Sequence, residues 1–380
     1  MYNMEGKREY NMRDQQYAYW LCNVNGIGNI TFYKLWEAFG SFEMVYRASD
    51  KKLQCVLTRQ QYLSLKESKK KWDVETEYNR LVDKKVLFYP LLHPEYPKKL
   101  RVLHDAPTAI YCIGQLPDEE KHSVAIIGAR KCSAYGRAVA EEIAKVMVKA
   151  NISVVSGMAR GIDGIAQKAA LEAGGETYGV LGSGVLVCYP AENRRIYDEI
   201  KMRGGILSEQ HPYAQPKATF FPMRNRIISA LSEVILVIEA TEKSGTYITV
   251  DMALEQGKEV YAVPGRVYDP LSAGCNKMIE QGAGIITNLT KLPEQLFGII
   301  DSQKQKEENM QAKKIYSAKE NAILDALGTT PVMLTVLCER IKEQNQEIEV
   351  DLTQIRQIIM QMLLKGEVRA VGGSYFQRIF

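Results

Sequence analysis

The sequence predicts an α/β protein built on an extended, Rossmann-like, doubly wound and mainly parallel sheet, with a helical domain before it and a winged-helix-like domain after it. Three observations carry this. From Ser123 onward, seven apolar runs of strand length (VAIIG, ISVVSG, YGVLG, GGILSE, EVILVIEA, EVYAVPG and GAGIIT) alternate with stretches of helical spacing. Strands that alternate with helices build a parallel sheet covered on both faces. Several runs close on glycine, the residue that lets a strand turn sharply into a helix. Length agrees, since 380 residues at about 150 per domain allow two or three domains.

Residues 1–85 read as a helical domain. Between about Gln16 and Ser68 apolar positions such as Tyr33, Trp36 and Phe39 recur at helical spacing, interrupted at Gly26-Ile27-Gly28 and Gly40-Ser41. Residues 86–120 read as a connector, because Phe88-Tyr89-Pro90, His93-Pro94 and Tyr96-Pro97 disfavour helix and favour extended chain. Residues 121–290 hold the seven runs, with helices expected over Tyr135–Ala150, Ile162–Ala173, Asn193–Met202, Arg224–Leu231 and Thr249–Gln256. Residues 291–319, which include DSQKQKEENMQAKK, read as a solvated linker. In residues 320–380, helices expected over Asn321–Leu327, Leu334–Ile341 and Leu352–Leu364 precede a hairpin of Gly366–Arg369 and Gly372–Tyr375, the order of a winged helix.

Composition excludes several classes. With 49 Lys and Arg against 45 Asp and Glu, the net charge of +4 is too small for a polycationic coat, so any anion must be held by local charge. Seven scattered cysteines without a C-x-x-C pair argue against a disulfide framework or zinc knuckle and for reduced thiols. The N-terminal MYNMEGKREYNMRDQQ lacks the apolar region of a signal peptide, and no apolar run reaches spanning length. A cytoplasmic protein with no membrane partner is expected.

Ligands of open parallel sheets bind outside the carboxyl ends of the strands. There this chain places Gly128-Ala129-Arg130-Lys131, then Ser156-Gly157-Met158-Ala159-Arg160-Gly161, then Gly182-Ser183-Gly184 with Asn193-Arg194-Arg195 beyond. Lys217, the run Phe220-Phe221-Pro222-Met223-Arg224-Asn225-Arg226, and Lys243-Ser244-Gly245-Thr246 follow. Glycines admit a ligand close to the backbone, helix N-termini offer N–H groups to phosphate, and Arg or Lys supplies charge. The set reads as a phosphate-binding rim that suits several phosphates in a row.

Rival chemistries lack their signatures. G-x-G-x-x-G, Walker A, H-E-x-x-H and G-x-S-x-G are all absent, and the four histidines are scattered. No cofactor, metal site or catalytic set is expected. Asp163 and Glu239 read as helix-start charges or arginine partners, with Glu239 the first candidate if a catalytic acid exists.

The blocks VAIIGARKCSAYGRAVA, VVSGMARGIDGIAQKAAL, GVLGSGVLVCYPAENRRIY, FPMRNRIISALS, VIEATEKSGTYITVDMALEQGKEVYAVPG and GCNKMIEQGA resemble, in order, the DNA-processing protein DprA (Smf) family. The likeness is dense over about residues 100–290. More weakly, residues 16–70 resemble the family's sterile-alpha-motif or helix-hairpin-helix-like domain, and residues 320–380 its winged-helix domain. The resemblance implies a single-stranded DNA-binding recombination mediator of natural transformation that protects incoming strands and loads RecA onto them. It also implies a homodimer through the Rossmann-like domain and no catalytic turnover. Carried over, the strand-binding residues are Gly128, Arg130, Lys131, Ser156, Gly157, Arg160, Gly161, Lys217, Phe221, Arg224, Asn225 and Arg226; Lys243, Ser244 and Gly245 join them from the strand-tip reading. Ala129 stands where many members carry Ser.

The residue types suit a single strand, which needs cations for its backbone and aromatic faces for its bases. Phe220 and Phe221 lie between Lys217 and Arg224, with Phe220 expected in the core and Phe221 toward the ligand. The alternative is a nucleoside-monophosphate phosphoribohydrolase of the lysine-decarboxylase-like group, but its P-G-G-x-G-T segment stops short at Pro264-Gly265-Arg266. A dimeric scaffold without nucleic acid is a third reading. The expected recognition helix, Leu352–Leu364, carries only Arg356 before Lys365, which leaves a protein-interaction role beside a DNA role. The Asn25–Asn29 loop, with only Lys34 near it, is open to a duplex-phosphate or a purely structural reading.

Overall fold

The computed structural model describes residues 14–299, 317–327, 330–344 and 351–379. They divide into two units, residues 1–300 and 301–380. In the first, six helices come before any strand: α1 (Gln15–Cys22), α2 (Asn29–Phe39), α3 (Phe42–Arg47), α4 (Asp50–Gln54), α5 (Arg59–Lys71) and α6 (Val74–Asp83). Asp14 caps α3 across the chain, its carboxylate accepting from the N–H groups of Phe42 at 2.5 Å and Glu43 at 2.6 Å. Tyr19, Trp20 and Phe32 share one core with Phe88, Tyr111, Leu181 and Ile206 of the sheet region, so the helical segment folds as part of the sheet unit.

The stretch expected as a connector contributes two strands, β1 (Leu87–Pro90) and β2 (Ala109–Gly114), with the short helix α7 (Lys98–Arg101) between them. The prolines forbid helix here but not an outer strand, and β1 ends on Pro90 at the sheet edge, where a missing N–H costs least. The seven expected runs form β3 (Ser123–Ile127), β4 (Ser153–Ser156), β5 (Thr177–Val180), β6 (Gly204–Ser208), β7 (Val234–Val237), β8 (Glu259–Ala262) and β9 (Gly284–Ile285). The nine strands stand in the order β1-β2-β6-β5-β4-β3-β7-β8-β9. All seven from β6 to β9 run parallel, while β2 runs antiparallel to both of its neighbours, β6 and β1.

The helices of this region are α8 (Ala134–Lys149), α9 (Ile162–Glu172), α10 (Arg194–Ile200), α11 (Phe220–Leu231), α12 (Thr246–Glu255), α13 (Pro270–Glu280) and α14 (Leu292–Phe297). Strand side chains alternate between faces: Val124 and Ile126 of β3 join the core under α8 and α9, whereas Ala125 and Ile127 join that under α11 and α12. From β3 the chain winds to β4 on one side and later returns to β7 on the other, which makes the gap between β3 and β7 the switch point of the sheet. α11 starts at Phe220, one turn earlier than expected, and α12 starts at Thr246 rather than Thr249. α14 lies in the stretch expected as linker, with Leu292 buried against α8; residues 300–316 of that stretch lie outside the described residues. Among the described residues no helix is long and apolar enough to cross a membrane.

The second unit comprises α15 (Ala318–Ala326), β10 (Val332–Met333), α16 (Leu334–Gln344), α17 (Leu352–Leu364), β11 (Val368–Ala370) and β12 (Tyr375–Arg378). Its strands pair in the order β10-β12-β11, and Leu337, Ile341, Ile355, Ile359 and Met362 form its core. Helix, strand, two helices and a terminal hairpin make a winged helix; the two-residue β10 was too short to read from the sequence.

Candidate nucleic-acid interface

A cavity of about 660 Å³ opens at the carboxyl ends of β3 and β7. Its floor is the first glycine loop. At Gly128 a Cβ would lie 2.9 Å from the Glu239 carbonyl and 2.9 Å from Ile162 Cγ1, so only glycine brings the loop this close. The Ala129 N–H donates to the Glu239 carbonyl at 2.7 Å and the Ile162 N–H to the Ala129 carbonyl at 3.2 Å, fixing the loop to its neighbours. Arg130 and Lys131 both line the cavity and are exposed.

The second glycine loop lies beneath the first. Gly161 has φ +73°, and a Cβ on it would lie 2.2 Å from the Ala129 carbonyl oxygen. The Ser156 hydroxyl donates to the Ile126 carbonyl at 2.6 Å, and the Gly157 N–H donates to Asp163 Oδ2 at 3.1 Å. Of this loop's residues only Ala159 reaches the cavity wall; Ser156, Gly157, Arg160 and Gly161 do not. Arg160 is exposed but engaged, its Nε and Nη2 donating to Glu192 at 2.9 and 2.7 Å. Arg194 and Arg195 are likewise paired along α10, with Asp198 and Glu199.

α11 supplies the aromatic face and sorts the two arginines. Phe221, in its first turn, lines the cavity against Gly182, where a Cβ would come within 2.8 Å of the ring. The Arg130 guanidinium lies 5.8 Å from the Phe221 ring centre, and the Tyr189 ring packs beside it, tilted by 41°, at 5.5 Å. Phe220 is not core: it is half-buried, with the Lys217 ammonium 5.3 Å from its ring. Lys217 itself stands outside the lining, where Ala218 takes its place.

Arg224 and Arg226 are two residues apart on a helix, hence about 200° apart around it. Arg224 forms the back wall, buried, with Nη1 donating to the carbonyls of Gly157 at 2.5 Å and of Val180, and Nε to Asn225 Oδ1 at 3.2 Å. Burial brings its pKa down to about 10 against the pull of Asp163. Arg226 does not face the cavity. It is held by Asp105 at 2.7 Å and Glu209 at 2.6 Å, a partly buried ion triad on the other side of the helix. Asn225 lines the cavity between them.

α12 closes the far side. Ser244 and Gly245 line the cavity; the Ser244 hydroxyl accepts from the Thr246 N–H at 3.2 Å, and a Cβ on Gly245 would meet nothing within 4 Å. The N-terminus of this helix therefore borders the cavity, the end that favours an anion. Lys243 beside it is exposed. Among the described residues Asp163 is the one carboxylate lining the cavity; burial holds it above its usual value, opposed by Arg224. Glu239 is buried away from the cavity, where it accepts from the Ser133 N–H at 2.9 Å and from the Ser133 hydroxyl, at the start of α8.

Sequence reasoning missed Tyr189. The loop after β5 carries sequence signals in its glycines and in Asn193-Arg194-Arg195, and a lone tyrosine between them carries no spacing signal.

The fold and the site define a Rossmann-like α/β protein with a glycine-floored, cation-edged cavity at the switch point of its sheet. The family model of DNA recombination-mediator protein A matches residues 88–297, and the chain belongs to that family, the DprA (Smf) proteins. The chain is 39% identical over 208 residues to the DNA processing protein DprA of Bacillus subtilis, covering 54% of this chain and 70% of that one. It is 39% identical over 200 residues to that of Streptococcus pneumoniae, covering 53% and 71%. The X-ray structure of the S. pneumoniae protein superposes with a TM-score of 0.64 at 33% identity, over 73% of this chain and 97% of that one. A solved structure of DNA processing protein A from Helicobacter pylori, described for its single-stranded DNA binding mode, superposes with a TM-score of 0.51 at 30% identity, over 56% and 96%.

Proposed function

We propose that this chain is a single-stranded DNA-binding recombination mediator of natural transformation, which protects the incoming strand and loads RecA onto it, acting as a homodimer through its Rossmann-like domain and without catalytic turnover. The observation that carries the reading is the juxtaposition of Phe221 and Arg130 over the glycine floor. A base stacks on the ring while phosphates follow the exposed cations Arg130, Lys131, Lys217 and Lys243, none of which forms an ion pair among the described residues. Family membership supports this, as does the single-stranded DNA binding described for the H. pylori relative.

A base-releasing hydrolase needs a carboxylate free to meet substrate. Here Glu239 is occupied by Ser133, and Asp163 by the Gly157 N–H and the Arg224 charge. The test is co-purification of RecA with the tagged protein, with and without single-stranded DNA, together with nuclease resistance of the bound strand. Association that depends on the strand is expected. No association in either state removes the mediator role, and release of free base from nucleoside monophosphates overturns the non-enzymatic reading.

A further inference from the structure

The loop after β8, residues 264–269, is fixed at both ends and bare at its crown. Asn276 clamps Gly265, accepting from its N–H at 3.1 Å and donating to its carbonyl at 3.1 Å. Gly265 also sits against Ser272, so closely that a Cβ would fall 2.0 Å from its hydroxyl oxygen. Asp269 caps α13 by accepting from the Leu271 N–H at 2.9 Å. From α8 the Tyr135 hydroxyl donates to the Pro264 carbonyl at 3.4 Å. Between these anchors Arg266 is exposed, Val267 is 81% exposed and Tyr268 is 98% exposed. A lone exposed apolar residue needs no explanation. A cation and an aromatic ring held up by an anchored loop, on the ligand-binding edge of the sheet, do.

The position supplies the explanation. The cavity lies between β3 and β7, β8 is the next strand outward, and Leu271, three residues after Tyr268, belongs to the cavity wall. On the opposite side Tyr189, 44% exposed, stands in the loop after β5. Tyr189 packs on Phe221 under Arg130, and Tyr135 reaches the Pro264 end of the loop that carries Arg266 and Tyr268, so rings and cations stand at strand tips from β5 to β8. From β5 to β8 are four inter-strand steps, about 19 Å at the usual spacing of about 4.8 Å. A stacked strand with about 3.4 Å per phosphate covers that distance in about six nucleotides.

We propose that Tyr268, supported by Tyr135 and Arg266, is an outer stacking site for single-stranded nucleic acid, reached only by a strand long enough to leave the cavity and cross the sheet edge toward β8. This rests on the reading of the cavity as a single-strand site. The ring takes any base, because stacking requires only a π-face.

The test is fluorescence anisotropy of labelled oligo-dT, one about four and one about twelve nucleotides long, with wild type, Tyr268→Ala and Tyr268→Trp. Tyr268→Ala should weaken binding of the longer oligomer about tenfold and leave the shorter unchanged, and Tyr268→Trp should restore the longer. Equal affinities of wild type and Tyr268→Ala for both oligomers overturn the inference and leave the cavity reading intact. So does an equal loss on both lengths, or a change of molecular mass in Tyr268→Ala, which would make the crown a contact between copies. Failure of wild type to bind either oligomer overturns the cavity reading itself.

Discussion

Replacing Arg226 with alanine separates a structural arginine from a strand-binding one. Its side chain is 9% exposed and that of Glu209 11%, with Nη2 2.6 Å from Glu209 Oε2; Nε lies 2.7 Å from Asp105 Oδ2. Nη1 also donates to the Met223 carbonyl at 2.9 Å. Although burial opposes it, these two carboxylates hold the guanidinium pKa above its usual value. On truncation Asp105, which is 45% exposed, rehydrates; Glu209 stays buried without a counter-ion. The cost of breaking such a pair from one side is about 3–5 kcal/mol, a large part of an ordinary stability of about 5–15 kcal/mol. With a urea slope of about 3 kcal/mol/M the unfolding midpoint should drop by about 1–1.7 M. Adding Glu209→Leu, which removes the orphaned charge, should recover most of the loss. Under conditions where the variant is folded, oligo-dT affinity should stay near wild type, because Arg226 does not line the cavity. A variant with the wild-type midpoint and lost DNA binding would refute the reasoning and return Arg226 to the contact surface.

Two other outcomes follow from the same geometry. Phe221→Ala should weaken oligo-dT binding by about 1–3 kcal/mol, the worth of one stacked base, whereas Phe220→Ala, whose ring lies under Lys217 outside the cavity lining, should cost less in the same anisotropy assay. Burial lowers the pKa of both His93 and His211 from 6.5, with Glu95 and Glu77 pulling the other way, and each ring accepts a backbone N–H at Nδ1. Folding therefore favours the neutral form: this stability is full above pH 6.5 and is lost as pH falls through the lower folded value. Melting temperatures measured across that window should fall for wild type and fall less for the His93→Gln, His211→Gln variant.

The parallel sheet was legible because its strands are apolar on both faces, as Val124-Ala125-Ile126-Ile127 shows. The antiparallel pair β1 and β2 was not, since prolines that exclude helix look the same in a connector and in an edge strand. Pro222 misled in the same way. The sequence pattern places it before the helix, yet it occupies the third position of α11, where a missing N–H has no intrahelical partner to lose. The extra turn carries Phe221 into the cavity. Residue type at the strand tips identified the floor and the exposed cations, but not which arginines were already neutralised. Arg226 is matched by Asp105, 121 positions earlier, and Arg224 by carbonyls of two different strand ends, partners that only the fold brings near.

The salt dependence of oligo-dT binding tests the account most directly. If the exposed cations Arg130, Lys131, Lys217 and Lys243 each meet a phosphate, the log–log slope against salt should be about −2.8, at about −0.7 per contact for a single strand. Replacing both Lys131 and Lys243 with alanine should halve the slope to about −1.4 without moving the unfolding midpoint. A wild-type slope near zero, or one that the double replacement leaves unchanged, would contradict a strand held along this rim.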